Sequence, residues 1–269
     1  MTTILAIVGD THVNSTVGLI TPVCNLDDGG TYRSSKGQRW LWRNWLNFWN
    51  EIYNLKMKHK DNKVWTVFNG DLVDVNGKHQ QTQNVSQNET DVFKMAIDTL
   101  MPALDVSDRV FVVRGTAAHV KSSASMEEKI AIDIGAEKNG NQWAWWELLL
   151  DCEDVRFDIR HHGPLGRLPH TRGNALNRRA VELMLRYANQ RCPDVGIQSH
   201  NHRFSSSSDE YPIKVYALPA WQLITEFVSR IGNIEPADVG GMYFVCDKGQ
   251  YQPVVKRYEP ERIRPWRAK

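Results

Sequence analysis

The chain has 269 residues, with 33 Lys and Arg against 31 Asp and Glu for a net charge of +2; it is 41% hydrophobic and 24% charged. That balance belongs to a packed globular protein and excludes the disordered, collagen-like and low-complexity classes. No run of about 18 apolar residues occurs, so no membrane-spanning helix is expected.

Met1-Thr2-Thr3 leads into the apolar run Ile4–Val8 and then Gly9-Asp10. Without a basic leader or a small-residue cleavage site, this reads as a first strand, not a signal peptide. Residues 14–37 are polar and read as a long surface loop. From Gln38 to Lys58 the residues Leu41, Trp45, Phe48, Ile52 and Leu55 recur at helical spacing. Val64–Phe68 is a second strand, ending in Gly70-Asp71. A Gln/Asn-rich loop at 76–90 follows, then a helix over Thr90–Leu104 that should stop near Pro102. Val110–Val113 is a third strand, ending in Arg114-Gly115. This alternation is an α/β beginning.

Met126–Lys138 and Asn174–Gln190 read as helices. Trp145–Leu150 and Val155–His161 read as a hairpin across Asp151–Asp154. Val195–Ser199, Ile213–Leu218, Gln222–Val228, Met242–Asp247 and Pro253–Tyr258 read as strands. No repeat or Pro/Ser linker divides the chain, so residues 1–269 are expected to form a single domain of mixed or packed sheets. Cys24, Cys152, Cys192 and Cys246 stand far apart with no C-x-x-C pair, which predicts reduced thiols in a cytoplasm.

Charge is neutral only in sum. Residues 155–191 hold eight arginines against Asp158 and Glu182, and residues 33–63 hold eight Lys and Arg interleaved with Trp40, Trp42, Trp45 and Trp49. Two readings stand: a solvated basic helix face over a tryptophan core, or an aromatic-lined surface for nucleic acid. Trp143, Trp145 and Trp146 divide in the same way, between an apolar hairpin face and a base-stacking platform.

The chemistry gathers where strands end. Asp10-Thr11-His12 places a carboxylate and an imidazole two residues apart, on one side of an extended chain. His200-Asn201-His202 does the same with two imidazoles, Gly70-Asp71-Leu72-Val73-Asp74 adds two carboxylates after a turn-forming glycine, and His161-His162-Gly163 closes another strand. Four strand ends that each deliver Asp or His form a ligand set of oxygen and imidazole without thiolate. Such a set favours Mn, Fe or Zn over a structural cysteine site.

The order D-x-H, G-D-x-x-D, a glycine-led turn with histidine, H-G and H-x-H, spread from Asp10 to His202, resembles the calcineurin-like metallophosphoesterase superfamily. The resemblance implies an α/β fold of two packed mixed β-sheets flanked by helices, four layers in all, with strands 213–258 completing the sandwich. It also implies two divalent metal ions, Mn²⁺ first among the choices. Asp10, His12 and His202 would hold one, Asp71 would bridge, and His162 and His200 would hold the other. His162 is preferred to His161 because the family's ligand directly precedes glycine.

One motif departs from the pattern. Where the family has G-N-H, this chain has Gly115-Thr116-Ala117-Ala118-His119, so Thr116 stands in the place of a metal-binding asparagine and the histidine falls two residues late. His119 is the expected general acid if the loop bulges, with Asp74 orienting it. Arg114, Arg160, Arg167 and Arg172 are expected on phosphate oxygens. The implied activity is metal-dependent hydrolysis of a phosphoester, a diester such as nucleic acid or a nucleotide ahead of a monoester. The alternatives are a non-catalytic scaffold of the same fold and a nucleic-acid-binding protein.

Overall fold

The computed structural model describes residues 2–75, 83–120, 124–164, 166, 168–226, 229 and 237–260. The chain runs β1 (Thr3–Val8), β2 (Val23–Asn25), β3 (Thr31–Arg33), α1 (Lys36–Lys56), β4 (Lys63–Asn69), α2 (Glu89–Leu104) and β5 (Arg109–Val113). It continues with α3 (Ala117–Val120), α4 (Ser125–Asp133), β6 (Ala144–Trp145), β7 (Leu148–Cys152), β8 (Val155–Ile159) and α5 (Arg172–Arg186). The last strands are β9 (Val195–Gln198), β10 (Ser205–Ser206), β11 (Lys214–Ala217), β12 (Val239–Asp247) and β13 (Gln250–Tyr258). Among the described residues no helix is long and apolar enough to cross a membrane.

Two mixed sheets carry the molecule. The first has the order β13-β12-β1-β4-β5-β6, and the second β10-β11-β9-β8-β7. In the first, β1, β4, β5 and β6 are parallel, with Leu5 opposite Trp65 and Val67 opposite Phe111. In the second, β8, β9 and β11 are parallel. Parallel neighbours end at the same edge, so both sheets collect their strand-end motifs on one side.

β1 shows how the layers are built. Its side chains alternate, Ile4, Ala6 and Val8 packing under the helices while Leu5 and Ile7 face the second sheet. The inter-sheet core joins Leu5, Ile7, Phe111 and Phe244 to Phe157, Ile159, Val195 and Ile197. On the far side, Leu176, Ala180 and Leu183 of α5 cover Val215 and Ala217 of β11. Helices, sheet, sheet, helix: the four layers expected from the sequence are present.

α1 begins at a capping box, Ser35 with Gln38, and buries Leu41, Trp45, Phe48, Trp49 and Ile52. Trp45 donates its ring N–H to Thr99 O at 3.1 Å and meets Trp221 edge to face at 4.9 Å. These tryptophans are core. An aromatic platform on α1 is not available to nucleic-acid bases, since Trp45 and Trp49 are buried and Trp40 and Trp42 pack against the same cluster.

Several expectations need correction. The 14–37 segment contains the β2–β3 hairpin. The helix expected over Met126–Lys138 ends at Asp133. Trp145 lies on β6 of the first sheet, not on the hairpin with β8, because β5 recruits it as a parallel edge. Gln222 makes a single bridge to Gly18 and residues 223–226 form no strand; residues 227 and 228 lie outside the described residues.

Candidate metal centre

The strand ends of both sheets meet at one seam. Asp10 N–H donates to Gly70 O at 2.9 Å and His12 N–H to Asp71 O at 3.0 Å, which locks the loop after β1 to the loop after β4. Ser199 N–H donates to His161 O at 2.9 Å, tying the ends of β9 and β8. Asn69 joins the sheets, its amide donating to Arg160 O at 3.0 Å and Ser199 Oγ at 2.7 Å.

The backbone reaches this seam in an unusual conformation. Asp10, His12, Asp71, His200 and His202 all have left-handed φ, from 44° to 70°. Each such residue without glycine's freedom costs about 1–3 kcal/mol. Convergence within D-x-H and H-x-H therefore does not come from extended chain, as the sequence spacing implied, but from tight left-handed turns. Strain of this kind concentrates where side-chain aim matters to function.

The two carboxylates are held alike. Asp10 Oδ2 accepts the His200 N–H at 3.1 Å, and Asp71 Oδ1 accepts the Thr116 N–H at 2.5 Å. The other oxygens, Asp10 Oδ1 and Asp71 Oδ2, are buried without a hydrogen-bond partner. Asp10 Oδ1 lies 3.2 Å from His202 Nε2, and Asp71 Oδ2 lies 3.0 Å from His161 Nε2 and 3.7 Å from His200 Nδ1. Burial pushes both carboxyls up, but the positive charge of protonated imidazole, His202 and His12 beside Asp10 and His161 beside Asp71, outweighs it and holds them well below the usual range. A buried anionic oxygen without a hydrogen is expensive unless a cation faces it.

The imidazoles complete two groups. His12 Nε2 and His202 Nε2 approach to 3.1 Å beside Asp10. His12 Nδ1 donates to Asp74 at 3.0 Å, which turns the Nε2 lone pair toward His202, so a shared proton or a cation must separate the two nitrogens. In the second group His161 Nδ1 donates to Asn69 O at 2.7 Å, which aims Nε2 at Asp71. Burial lowers His161, but the Asp71 charge outweighs it and pushes it up to about 9, so Nε2 carries a proton that a cation would displace. Thr116 Oγ1 stands 3.1 Å from His162 Nε2, 3.2 Å from His200 Nδ1 and 3.4 Å from His161 Nε2. The atoms of Asp10–His12–His202, of Asp10–Asp71–His161 and of His161–His162–His200 each lie within 4.8 Å of one another. Bare carboxylate oxygens beside oriented imidazole lone pairs fit two divalent cations.

Sequence order put His162 ahead of His161. Both come to the site: His161 is buried and faces both carboxylates, while His162 is more exposed and joins the three-imidazole group. Burial, then the neighbouring His161 and His200, pulls His162 down to about 4.

His119 arrives without a loop bulge. The two extra residues are absorbed by the single turn α3, closed by His119 N–H to Thr116 O at 2.9 Å. Its Nδ1 lies 2.6 Å from Asp74 Oδ1, so Asp74 serves both His119 and His12.

The arginines fare differently. Arg114 is buried, donating to Glu128 at 2.6 Å and Ala144 O at 2.9 Å with its guanidinium 5.0 Å from the Trp146 ring. Arg160 is taken up by Glu147 and Asp158. Both face acids. Arg172 opens α5, half-buried, and Arg167 lies outside the described residues.

Two residues at the seam escaped the sequence reading. Asn69 sits directly before the Gly70-Asp71 turn. Glu127 is fully buried on α4 and accepts N–H bonds from Gly115 at 2.6 Å and Leu72 at 3.1 Å. Its signal was an acid next to Met126 and one turn from Ile130 and Ala131, positions that a helix buries together. Burial, then the Asp71 charge, pushes Glu127 up to about 7.

Glycine at 115 is a steric necessity. A Cβ there would sit 2.2 Å from Asp71 N and 2.3 Å from Asp71 Oδ1. Gly115→Ala is expected to cost about 3 kcal/mol, read as a lowered midpoint in urea; an unchanged midpoint would show that the two loops can part freely.

No protein-family model matches the chain, and no curated protein matches it. Among solved structures, it is similar to wild-type Vps29 complexed with zinc from Entamoeba histolytica at 11% identity and TM-score 0.41, covering 94% of this chain and 98% of that one. A dimetal phosphatase from Danio rerio shows 12% identity and TM-score 0.42, with 94% and 95% covered. A predicted phosphoesterase from Streptococcus pneumoniae shows 9% identity and TM-score 0.35, with 95% and 99% covered. Similarity at this level leaves the site to be read from its own residues. Two mixed sheets packed between helices, with D-x-H, G-D-x-x-D, H-G and H-x-H on the strand ends that converge, are the arrangement that the sequence's resemblance to the calcineurin-like metallophosphoesterases implies.

Proposed function

We propose that the protein is a phosphoester hydrolase working with two divalent cations, and that its substrates are phosphodiesters of the nucleotide or nucleic-acid class. The observation that carries the reading is the pair of buried carboxylates, each pinned by a backbone N–H through one oxygen and bare at the other, beside the Nε2 atoms of His12 and His161, whose Nδ1 atoms are already taken up.

Asp10, His12 and His202 would hold one ion, and Asp71, His161 and His200 the other, with Asp10 facing both groups and Thr116 and His162 beside the second. Ions bound there would lower the pKa of water and clamp phosphate oxygens. The chain's own groups do the rest. Asp74 fixes the tautomer of His12, and Asn69 O fixes that of His161. His119 in its imidazolium form, with Nδ1–H on Asp74, would give its Nε2 proton to the leaving oxygen and be left neutral.

The preference for a diester rests on charge. Arg114 and Arg160, the guanidinia expected to meet a phosphate, are engaged by Glu128, Glu147 and Asp158. A diester carries one negative charge where a monoester carries up to two, and needs less of that help. Mn²⁺ is the proposed ion because the donors are oxygen and imidazole; Zn²⁺ and Fe²⁺ fit the same set. A cytoplasmic setting is proposed from the four free cysteines.

The test is hydrolysis of bis-p-nitrophenyl phosphate and p-nitrophenyl phosphate by EDTA-stripped protein, with and without Mn²⁺. Metal-dependent turnover favouring the diester is expected. No turnover of either ester with Mn²⁺, Zn²⁺ or Fe²⁺ would sink the hydrolase reading and leave a scaffold of the same fold.

A further inference from the structure

We propose that Glu127 is a positioning residue that sets the bare oxygen of Asp71 toward His161 and His200, and so decides whether the second cation is held. The inference rests on the two-cation reading above and deepens it.

The argument starts from connectivity. Asp71 and Thr116 lie on separate loops, after β4 and after β5, and neither is fixed by its own strand beyond Asn69 and Val113. Glu127 comes from α4 and reaches under both loops: one oxygen accepts the Leu72 N–H at 3.1 Å, the other the Gly115 N–H at 2.6 Å. Those amides belong to the residue after Asp71 and the residue before Thr116. The next link is Thr116 N–H to Asp71 Oδ1 at 2.5 Å. One carboxylate thus holds the loops in the register that pins Asp71 Oδ1 and leaves Oδ2 3.0 Å from His161 Nε2.

Only a carboxylate can do this. Two N–H donors converge on two acceptor oxygens, and the side chain is fully buried, so water cannot replace it. An amide at the same place would turn one NH₂ donor against an N–H. The side chains of the Asp10–His12–His202 group are pinned elsewhere, Asp10 by His200 N–H and His12 by Asp74, and reach this path only through backbone, His12 N–H to Asp71 O at 3.0 Å and Val13 N–H to Leu72 O at 2.9 Å. The two cations should therefore respond differently to Glu127.

The experiment titrates metal-free protein with Mn²⁺ by equilibrium dialysis, in wild type, Glu127→Gln and Glu127→Asp, and again in the His202→Ala background, which leaves the second site alone. Folding is followed by circular dichroism. Two equivalents are expected for wild type. Glu127→Gln should weaken one of them about 10- to 100-fold, in the range of outer partners of metal ligands, and affect the other far less. In His202→Ala the same loss should fall on the single remaining site. Glu127→Asp keeps both oxygens but draws them back, and should lie between; if the Gln variant does not fold, the Asp variant decides.

Equal affinities at both sites in folded Glu127→Gln or Glu127→Asp, with only a lowered melting temperature, would overturn the role of Glu127 and reduce it to structural support. Wild type binding no Mn²⁺, Zn²⁺ or Fe²⁺ would overturn the two-cation reading itself and this inference with it.

Discussion

Asp71→Asn is expected to lower kcat/KM for bis-p-nitrophenyl phosphate by about 10³-fold, a loss of about 4 kcal/mol of charge stabilisation at the reacting phosphate. The substitution keeps the volume of a fully buried side chain, and its remaining oxygen can still accept the Thr116 N–H. What changes is the bare atom. Asp71 Oδ2, 3.0 Å from His161 Nε2 and 3.7 Å from His200 Nδ1, becomes an NH₂ that donates to the imidazole lone pair it faces. A negative ligand is lost and a neutral one is occupied in a single step. Bound Mn²⁺, counted on the folded variant, should fall to one equivalent or none. Turnover within tenfold of wild type, with two Mn²⁺ retained, would remove Asp71 from the centre.

How much of this could be read from the chain depends on the distance over which each contact acts. Asp10, His12, Asp71, His200 and His202 stand directly behind short apolar strands, and strands of an α/β sheet present their ends together; local pattern was enough to find them. Their left-handed turns were not legible, because Asp, His and Thr state no φ and only Gly70 announces a bend. The orientation of His161 also exceeded the sequence. It turns on Asn69 O, 92 residues before His161, taking one ring nitrogen and thereby aiming the other.

The arginines show the same limit in reverse. Arg114 and Arg160 follow strands whose neighbours end in metal-type motifs, and nothing near them in sequence reveals that Glu128 and Glu147 compete for their guanidinia. Glu127 is the plainest case. It belongs to no motif, and only the packing of α4 beneath two loops gives its carboxylate work. The tryptophans of α1 could be read either way until the first sheet and Trp221 closed over them.

His119→Ala should separate substrates by their need for a proton. A nitrophenolate departs without one; an alkoxide, as from a nucleoside diester, does not. We expect turnover of dinucleotides, which lose a ribose alkoxide, to fall about 10²- to 10³-fold, while release of nitrophenol from bis-p-nitrophenyl phosphate falls less than about tenfold. The structural part of His119 is carried by its backbone, through Val75 N–H to His119 O at 2.8 Å and His119 N–H to Thr116 O at 2.9 Å, and survives the substitution. The side chain contributes its Nδ1 contact to Asp74 Oδ1 at 2.6 Å. Asp74 keeps His12 at 3.0 Å when that contact is removed, so cation binding should persist. Equal losses on both leaving groups would mean that His119 only steadies Asp74, and the proton would have to come from solvent. A split by leaving group, at unchanged Mn²⁺ content, places Nε2 of His119 on the departing oxygen.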